Sequence, residues 1–297
     1  MSTHVSLTEG HTRTGSLLIE ALPYIQRFAG KTVVVKYGGN ALAGATDADA
    51  AGTFAQDIAL LRAVGIRPIV VHGGGPQISA MMERLGKKAE FRNGLRVTDA
   101  ETIEIASMVL LGTVNPQLVS AINVHGAQAV GVSGQDAGLL KVEQRDPDLG
   151  FVGDIVSVDT TVLRSALADG SVPVVATIGS DDLGQAYNVN ADTAAAAIAV
   201  AIGAEKLVYL TDIDGLRLDK SDSNSLLRRA TAGEIRSMMD SGAIDGGMIP
   251  KMESCLVALD GGVKRTHLLD GRIPHVLLIE MFTDAGVGTM VTRDELS

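Results

Sequence analysis

Short apolar runs, several of them β-branched, recur along the chain at Thr32 to Lys36, Pro68 to Val71, Ala129 to Val132, Val172 to Thr177, Leu207 to Leu210 and Thr266 to Leu269. Continuous runs of this length predict strands buried on both faces. Between them the period lengthens. Phe54, Ile58 and Leu61 fall at i, i+4 and i+7, with Gln56, Asp57 and Arg62 off that face, and Ala191 to Ile202 is alanine-rich behind Asn190, a good N-cap. This alternation predicts an α/β chain built on an open, mostly parallel sheet sandwiched by helices. The stretch Leu139 to Val158, with Asp146-Pro147-Asp148 and Gly150, reads as hairpins inserted near the ligand end, and Asp219 to Ser225 as an exposed loop.

Ahead of the first core strand, Leu17, Leu18, Ala21, Leu22, Ile25 and Phe28 form an amphipathic helical face, with a kink expected at Pro23. That face would pack on its own domain or on another subunit. The expected organisation is a helical segment over residues 1–29 followed by two lobes, 30–180 and 181–297. No internal repeat of 20 to 50 residues is evident.

Composition narrows the class. The 297 residues are 46% apolar with no run approaching 18 uncharged apolar residues, and the first residues, with His4, Glu9, His11 and Arg13, do not read as a secretory signal. The single cysteine, Cys255, excludes an internal disulfide and a cysteine-rich zinc site. A cytoplasmic protein with no membrane partner is expected. A net charge of −10, no Trp, five Phe and four Tyr argue against a nucleic-acid partner. Any anionic ligand must therefore be held by individual lysines and arginines.

Two of the strands run directly into glycine turns, Lys36-Tyr37-Gly38-Gly39-Asn40 and His72-Gly73-Gly74-Gly75-Pro76. Glycine lets the backbone turn tightly and present bare N–H groups, and a helix after each turn would aim its positive end at the same point. A phosphate or carboxylate is the expected guest. Standard signatures do not fit: Gly30-Lys31-Thr32 precedes its strand, and neither turn carries Gly-x-Gly-x-x-Gly. Lys36 stands at the carboxyl end of its strand, where open sheets bind ligands. Lys251 follows Asp245-Gly246-Gly247-Met248-Ile249-Pro250, Arg96 sits in Asn93-Gly94-Leu95-Arg96-Val97-Thr98, and Asn188-Val189-Asn190-Ala191-Asp192 leads into the alanine-rich helix. Capping accounts for Asn190 and Asp192 but not for Asn188.

In order, these five motifs resemble those of the amino acid kinase family, over essentially residues 31–293. The Arg96 and Asn188 motifs together resemble the members that phosphorylate N-acetyl-L-glutamate. The resemblance implies transfer of the ATP γ-phosphoryl group to the γ-carboxylate of that acid, in arginine biosynthesis. A carboxylate with a reference pKa of about 4.3 is already ionised at neutral pH and needs no general base. The difficulty is bringing two anions together.

By the same resemblance, Lys36 and Lys251 flank the transferring group, Gly39 and Gly74 supply N–H donors, and Asp192 holds both lysines. Arg96, Asn188 and Asn190 hold the acid, with Gly74 and Gly75 along its chain. The nucleotide lies over Gly38, Thr211, Asp212, Asp214, Gly215, Leu216, Gly247 and Met248, with Mg²⁺ carried by its phosphates and no protein metal site. The run from His267 to Gly288 is similar to arginine-inhibited members, which implies an L-arginine site at Lys206, His267, Glu280, Gly286 and Gly288. Those members carry a comparable N-terminal helix that joins dimers into a hexamer, a trimer of dimers. Two alternatives stay open from the residues alone: a family kinase for another small acid, and a non-catalytic sensor of ATP or arginine.

Overall fold

The computed structural model describes residues 3–38, 48–92, 94–219, 222, 225–244, 246–284 and 286–293, with side chains from residue 15 in the first helix and residue 52 in the second. The strands are β1 (Thr32–Tyr37), β2 (Arg67–His72), β3 (Phe91–Arg92), β4 (Leu95–Arg96), β5 (Ala129–Ser133), β6 (Leu140–Gln144), β7 (Val152–Val158), β8 (Val172–Ala176), β9 (Ile178–Ser180), β10 (Ala186–Val189), β11 (Lys206–Thr211), β12 (Arg229–Thr231), β13 (Arg265–Asp270) and β14 (Thr289–Thr292). The helices are α1 (Thr3–Phe28), α2 (Ala48–Ala63), α3 (Gly75–Arg84), α4 (Ala100–Val124), α5 (Thr161–Ala168), α6 (Ala191–Ile202), α7 (Ala232–Asp240), α8 (Ile249–Asp260) and α9 (Val276–Phe282).

An eight-stranded sheet runs in the order β12-β14-β13-β11-β1-β2-β8-β5. From β13 to β5 every neighbouring pair is parallel, and the antiparallel pairing of β13 with β14 reverses β14 and the edge strand β12. The six strands read from the apolar runs are those of this continuous parallel run. The chain proceeds outward from β1 in one direction through β2 and in the other through β11, so the carboxyl ends of β11, β1 and β2 border a topological switch point. The hairpin expected between Leu139 and Val158 is present as the antiparallel pair β6 and β7. It closes with β9 and β10 into a small four-stranded barrel.

Strand parity assigns the faces. Val33, Val35 and Tyr37 of β1 join one core with Phe54, Ile58 and Leu61 of α2, and Tyr37 stacks on Phe54 with ring centroids 4.1 Å apart. Val34 joins the other core, against Ala195, Ala196 and Ile198 of α6. Alternation therefore directs Lys36 to the α6 face. Small alanines let α6 lie close to the sheet, and the same logic directs His72, which follows Val70 on β2, to the opposite face.

Among the described residues one helix, α4, is long and apolar enough to cross a membrane by length and composition. Ile103, Ile105, Ala106, Val109, Leu110, Leu118 and Ile122 are buried in the core shared with β1 and β8. Helix α1 runs through Pro23 without ending. The carbonyl that loses its donor there belongs to Ile19, on an exposed stretch where water can satisfy it. Ala21, Tyr24, Ile25 and Phe28 pack on the chain's own core, while Leu17, Leu18, Ile19 and Leu22 are exposed.

Within the barrel, a Cβ on Gly179 would stand 2.6 Å from Val142 Cγ1 and 3.0 Å from the Leu140 carbonyl oxygen. Gly179→Ala should overpack this interior and lower the unfolding free energy by about 1 to 3 kcal/mol. Urea titration of the variant beside the parent checks it.

Candidate active site

Three elements that are remote in sequence meet at the carboxyl edge of β1. Lys36 comes from β1, Asp192 from the first turn of α6, and Lys251 from the first turn of α8, where Pro250 occupies an early position compatible with its missing N–H. Asn190 caps α6: its side-chain oxygen accepts from Asp192 N at 2.9 Å and from Thr193 N at 3.1 Å. Asp192 Oδ1 lies 2.7 Å from Lys36 Nζ, while Lys251 Nζ donates to Oδ2 at 2.9 Å. The contact with Lys36 is an ion pair off the hydrogen-bond line. All three side chains are largely withdrawn from solvent.

Burial by itself would raise the Asp192 carboxyl, but the two ammonium groups override it and hold it at about 2. Lys36 is shifted down, because burial outweighs the pull of Asp192 and Lys251 adds repulsion. One carboxylate thus holds two cations that would otherwise repel, with their remaining N–H donors available to a ligand.

Around this trio lies a cleft of about 560 Å³. Gly38 stands at its floor, donating its N–H to Leu210 O at 3.0 Å, and a Cβ there would come within 2.7 Å of that oxygen. The second turn lines the cleft with Gly73, Gly74 and Gly75, and Gly74 is the N-cap of α3 with no side-chain bond to its first amides. A Cβ on Gly74 would meet Leu110 Cδ2 at 2.6 Å. Close approach of backbone thus requires glycine at Gly38, while at Gly74 a Cβ would force the buried Leu110 side chain to shift. Gly39, expected as a donor, lies outside the described residues.

Arg96, buried on β4, lines the same cleft. It donates to Gly75 O at 2.8 Å and Ser79 Oγ at 2.7 Å, and its guanidinium stacks over the Phe91 ring at 4.7 Å. Burial lowers its pKa. Asn188, Thr177 and Val152 also line the cleft. Of the expected nucleotide residues, Gly38, Thr211 and Asp212 border the cleft. Asp214 is instead paired with Arg217 at 2.6 Å, Gly215 abuts Thr289, and Leu216 is buried with its N–H bonded to Thr289 Oγ1 at 2.8 Å. Gly247 borders a neighbouring cavity of about 450 Å³ with Asn190, Asp192 and Pro250, while Met248 packs on the α6 core. Among the described residues there is no cluster of His, Cys, Asp and Glu able to hold a metal.

Lys206, His267, Glu280, Gly286 and Gly288 come together elsewhere, in a cavity of about 290 Å³ that α1 closes with Tyr24, Arg27 and Phe28. His267 Nδ1 lies 2.9 Å from Glu280 Oε1 at a bent angle, and Lys206 Nζ sits 4.6 Å above the Phe28 ring. Burial pushes Lys206 down to about 8 against the pull of Glu280.

The model of the amino acid kinase family matches residues 31–270. The chain belongs to that family. It is 54% identical over 287 residues to the acetylglutamate kinase of Symbiobacterium thermophilum, covering 94% of this chain and 97% of that one. It is 53% identical over 283 residues to the acetylglutamate kinase of Saccharopolyspora erythraea, covering 93% and 92%. The expected class, a phosphotransferase with a carboxyl acceptor, is borne out by these relatives. Among solved structures it resembles the N-acetylglutamate synthase of Neisseria gonorrhoeae complexed with coenzyme A and N-acetyl-glutamate, with a TM-score of 0.82 and 28% identity over 95% of this chain. The same synthase complexed with coenzyme A and L-arginine matches with a TM-score of 0.78 and 28% identity over 94%. This chain spans 64% and 65% of those two synthase chains. A carbamate kinase of Giardia, 18% identical with a TM-score of 0.66, shares the fold.

Sequence reasoning passed over Ser79, Phe91 and Thr177: Ser79 lies four residues after Gly75 on α3, Phe91 three before Gly94 on β3, and Thr177 between β8 and β9. Only strand parity and the α3 spacing of Gly75 and Ser79 could have suggested them.

Because the Asp192 carboxyl is depressed in the folded state, its stabilisation is complete above its unfolded value near 3.8 and is lost as pH falls through about 2. The parent should therefore lose roughly 2 kcal/mol more than Asp192→Asn over that interval. Denaturant unfolding measured at a series of acid pH values tests the difference.

Proposed function

We propose that this protein is an acetylglutamate kinase, transferring the ATP γ-phosphoryl group to the γ-carboxylate of N-acetyl-L-glutamate to give the acyl phosphate and ADP. The observation that carries this reading is Asp192 gripping Lys36 and Lys251 beside the glycine turns, with buried Arg96 lining the same cleft. The kinship with named acetylglutamate kinases at about half identity over nearly the whole chain supports it.

In this reading Arg96 and Asn188 hold the acid's α-carboxylate and acetyl group, with Asn190 bordering them, and the acid's chain runs along Gly74 and Gly75. Its ionised γ-carboxylate attacks the γ-phosphorus while the bond to the β-phosphate oxygen breaks and leaves with ADP. Negative charge spreads over the transferring oxygens, where Lys36 and Lys251 face it from opposite sides. ATP enters over Gly38, Thr211 and Asp212, with Asp214, Gly215, Leu216, Gly247 and Met248 shaping the surrounding backbone. Mg²⁺ rides on its phosphates, which suits hard oxygen ligands and few protein groups. Residues 30–180 would form the acid-binding lobe and 181–297 the nucleotide lobe.

The second cavity fits an L-arginine effector, with Glu280 for its guanidinium and Lys206 for its carboxylate. Residues 1–29 would join copies through the exposed Leu17, Leu18, Ile19 and Leu22, as in a hexamer built as a trimer of dimers. A cytoplasmic location accords with the lone buried Cys255.

Coupled ADP release should depend on N-acetylglutamate and remain near background with glutamate; equal rates would exclude the assignment. Lys36→Ala and Lys251→Ala should each lower turnover about a hundredfold, the scale of one lost preorganised donor. Activity should fall as arginine is titrated at fixed ATP, and Glu280→Gln should blunt that response while leaving the uninhibited rate near that of the parent. A flat response in the parent would remove the regulatory assignment.

A further inference from the structure

Beneath the second glycine turn lies a buried polar relay that the reaction described so far does not use. His72 is wholly buried at the end of β2, and Asn115, 6% exposed, faces it from α4. Asn115 Nδ2 lies 2.8 Å from the carbonyl oxygen of Val174, so the nitrogen of the amide must be on that side. The same nitrogen lies 2.9 Å from His72 Nε2, which therefore accepts. The ring proton is left on Nδ1, 3.0 Å from the carbonyl oxygen of Gly73.

The peptide between Gly73 and Gly74 is planar and trans, so its C=O and N–H point in opposite directions. Anchoring the Gly73 carbonyl to the ring below turns the Gly74 N–H toward the cleft. We propose that Asn115 and His72 are positioning residues for phosphoryl transfer: Asn115 fixes the His72 tautomer, and His72 fixes the peptide plane that aims the Gly74 N–H at the transferring group. This rests on the kinase reading above.

Two further features serve the same arrangement. Helix α4 contains a π turn at Leu110–Val114, immediately before Asn115. The extra residue in that turn shifts the helix phase, bringing Leu110 against Gly74 and Asn115 under His72. On β5, a Cβ at Gly131 would strike Asn115 Oδ1, so this glycine vacates the space for the amide oxygen. Burial holds the ring down at about 4, so it stays neutral, with one donor and one acceptor, across the ordinary pH range.

Asparagine can place its amide nitrogen where His72 Nδ1 stands, whereas leucine cannot donate. His72→Leu should lower kcat at least about tenfold with KM for ATP changed less than about twofold, and His72→Asn should recover most of the loss. Equal kcat in the two folded variants would overturn the proposal. Long-range ¹H–¹⁵N spectra of the histidine-labelled parent provide a readout independent of activity and of any variant's folding. A protonated Nδ1 and bare Nε2 are expected for His72, and a proton on Nε2 overturns the proposal whatever the turnover. If the parent showed no N-acetylglutamate-dependent ADP release, the reaction reading would fall and the catalytic role with it, while the spectrum would still decide the tautomer.

Discussion

The site depends on one carboxylate. Asp192 is buried between Lys36 and Lys251, which come from different strands and helices and would repel each other without it. A buried charge left unpaired is strongly unfavourable, so each member of the trio constrains the other two. The fold supplies the geometry: Lys36 alternates with Val34 and therefore faces α6, and the Asn190 cap starts that helix where Asp192 can reach both cations. The helix end also favours the negative side chain in its first turn.

The same economy governs the glycine turns. At Gly38 a side chain would collide with a strand carbonyl, and at Gly74 it would displace Leu110 from the core, so glycine leaves bare backbone facing the cleft. The turns and the ion pairs face one cleft because β1 and β2 are adjacent in the sheet and α6 follows the barrel strand β10. Catalysis of this kind needs positive groups placed before the anions arrive, and a packed, buried network holds them there.

Much of this was legible in the sequence. Runs such as Val33 to Val35 and Ile69 to Val71 mark buried parallel strands without ambiguity, and the 3.6-residue spacing of Phe54, Ile58 and Leu61 matches their burial. The edge strand β12 and its neighbour β14 escaped, because Arg229–Thr231 and Thr289–Thr292 are short and interrupted by polar residues. Pro23, read as the place of a kink, lies inside one continuous helix, and the Ile19 carbonyl left without a donor is on an exposed stretch where water can satisfy it. In the site, charged residues beside glycines were readable, and Lys36, Asp192 and Lys251 do meet. Asn115 was not, because its partner stands 43 residues away and a π turn sets its direction. Local pattern carries no information about either.

The central claim is that the lysines held by Asp192 act on the charge of the transferring group rather than on ATP binding in general. Calorimetric titration of the parent and Lys36→Met, with ATP and with magnesium ADP plus aluminium fluoride and N-acetylglutamate as a mimic of the transfer, separates the two. The account predicts that the variant loses affinity for the mimic about a hundredfold more than it loses affinity for ATP. Equal losses for both would contradict it.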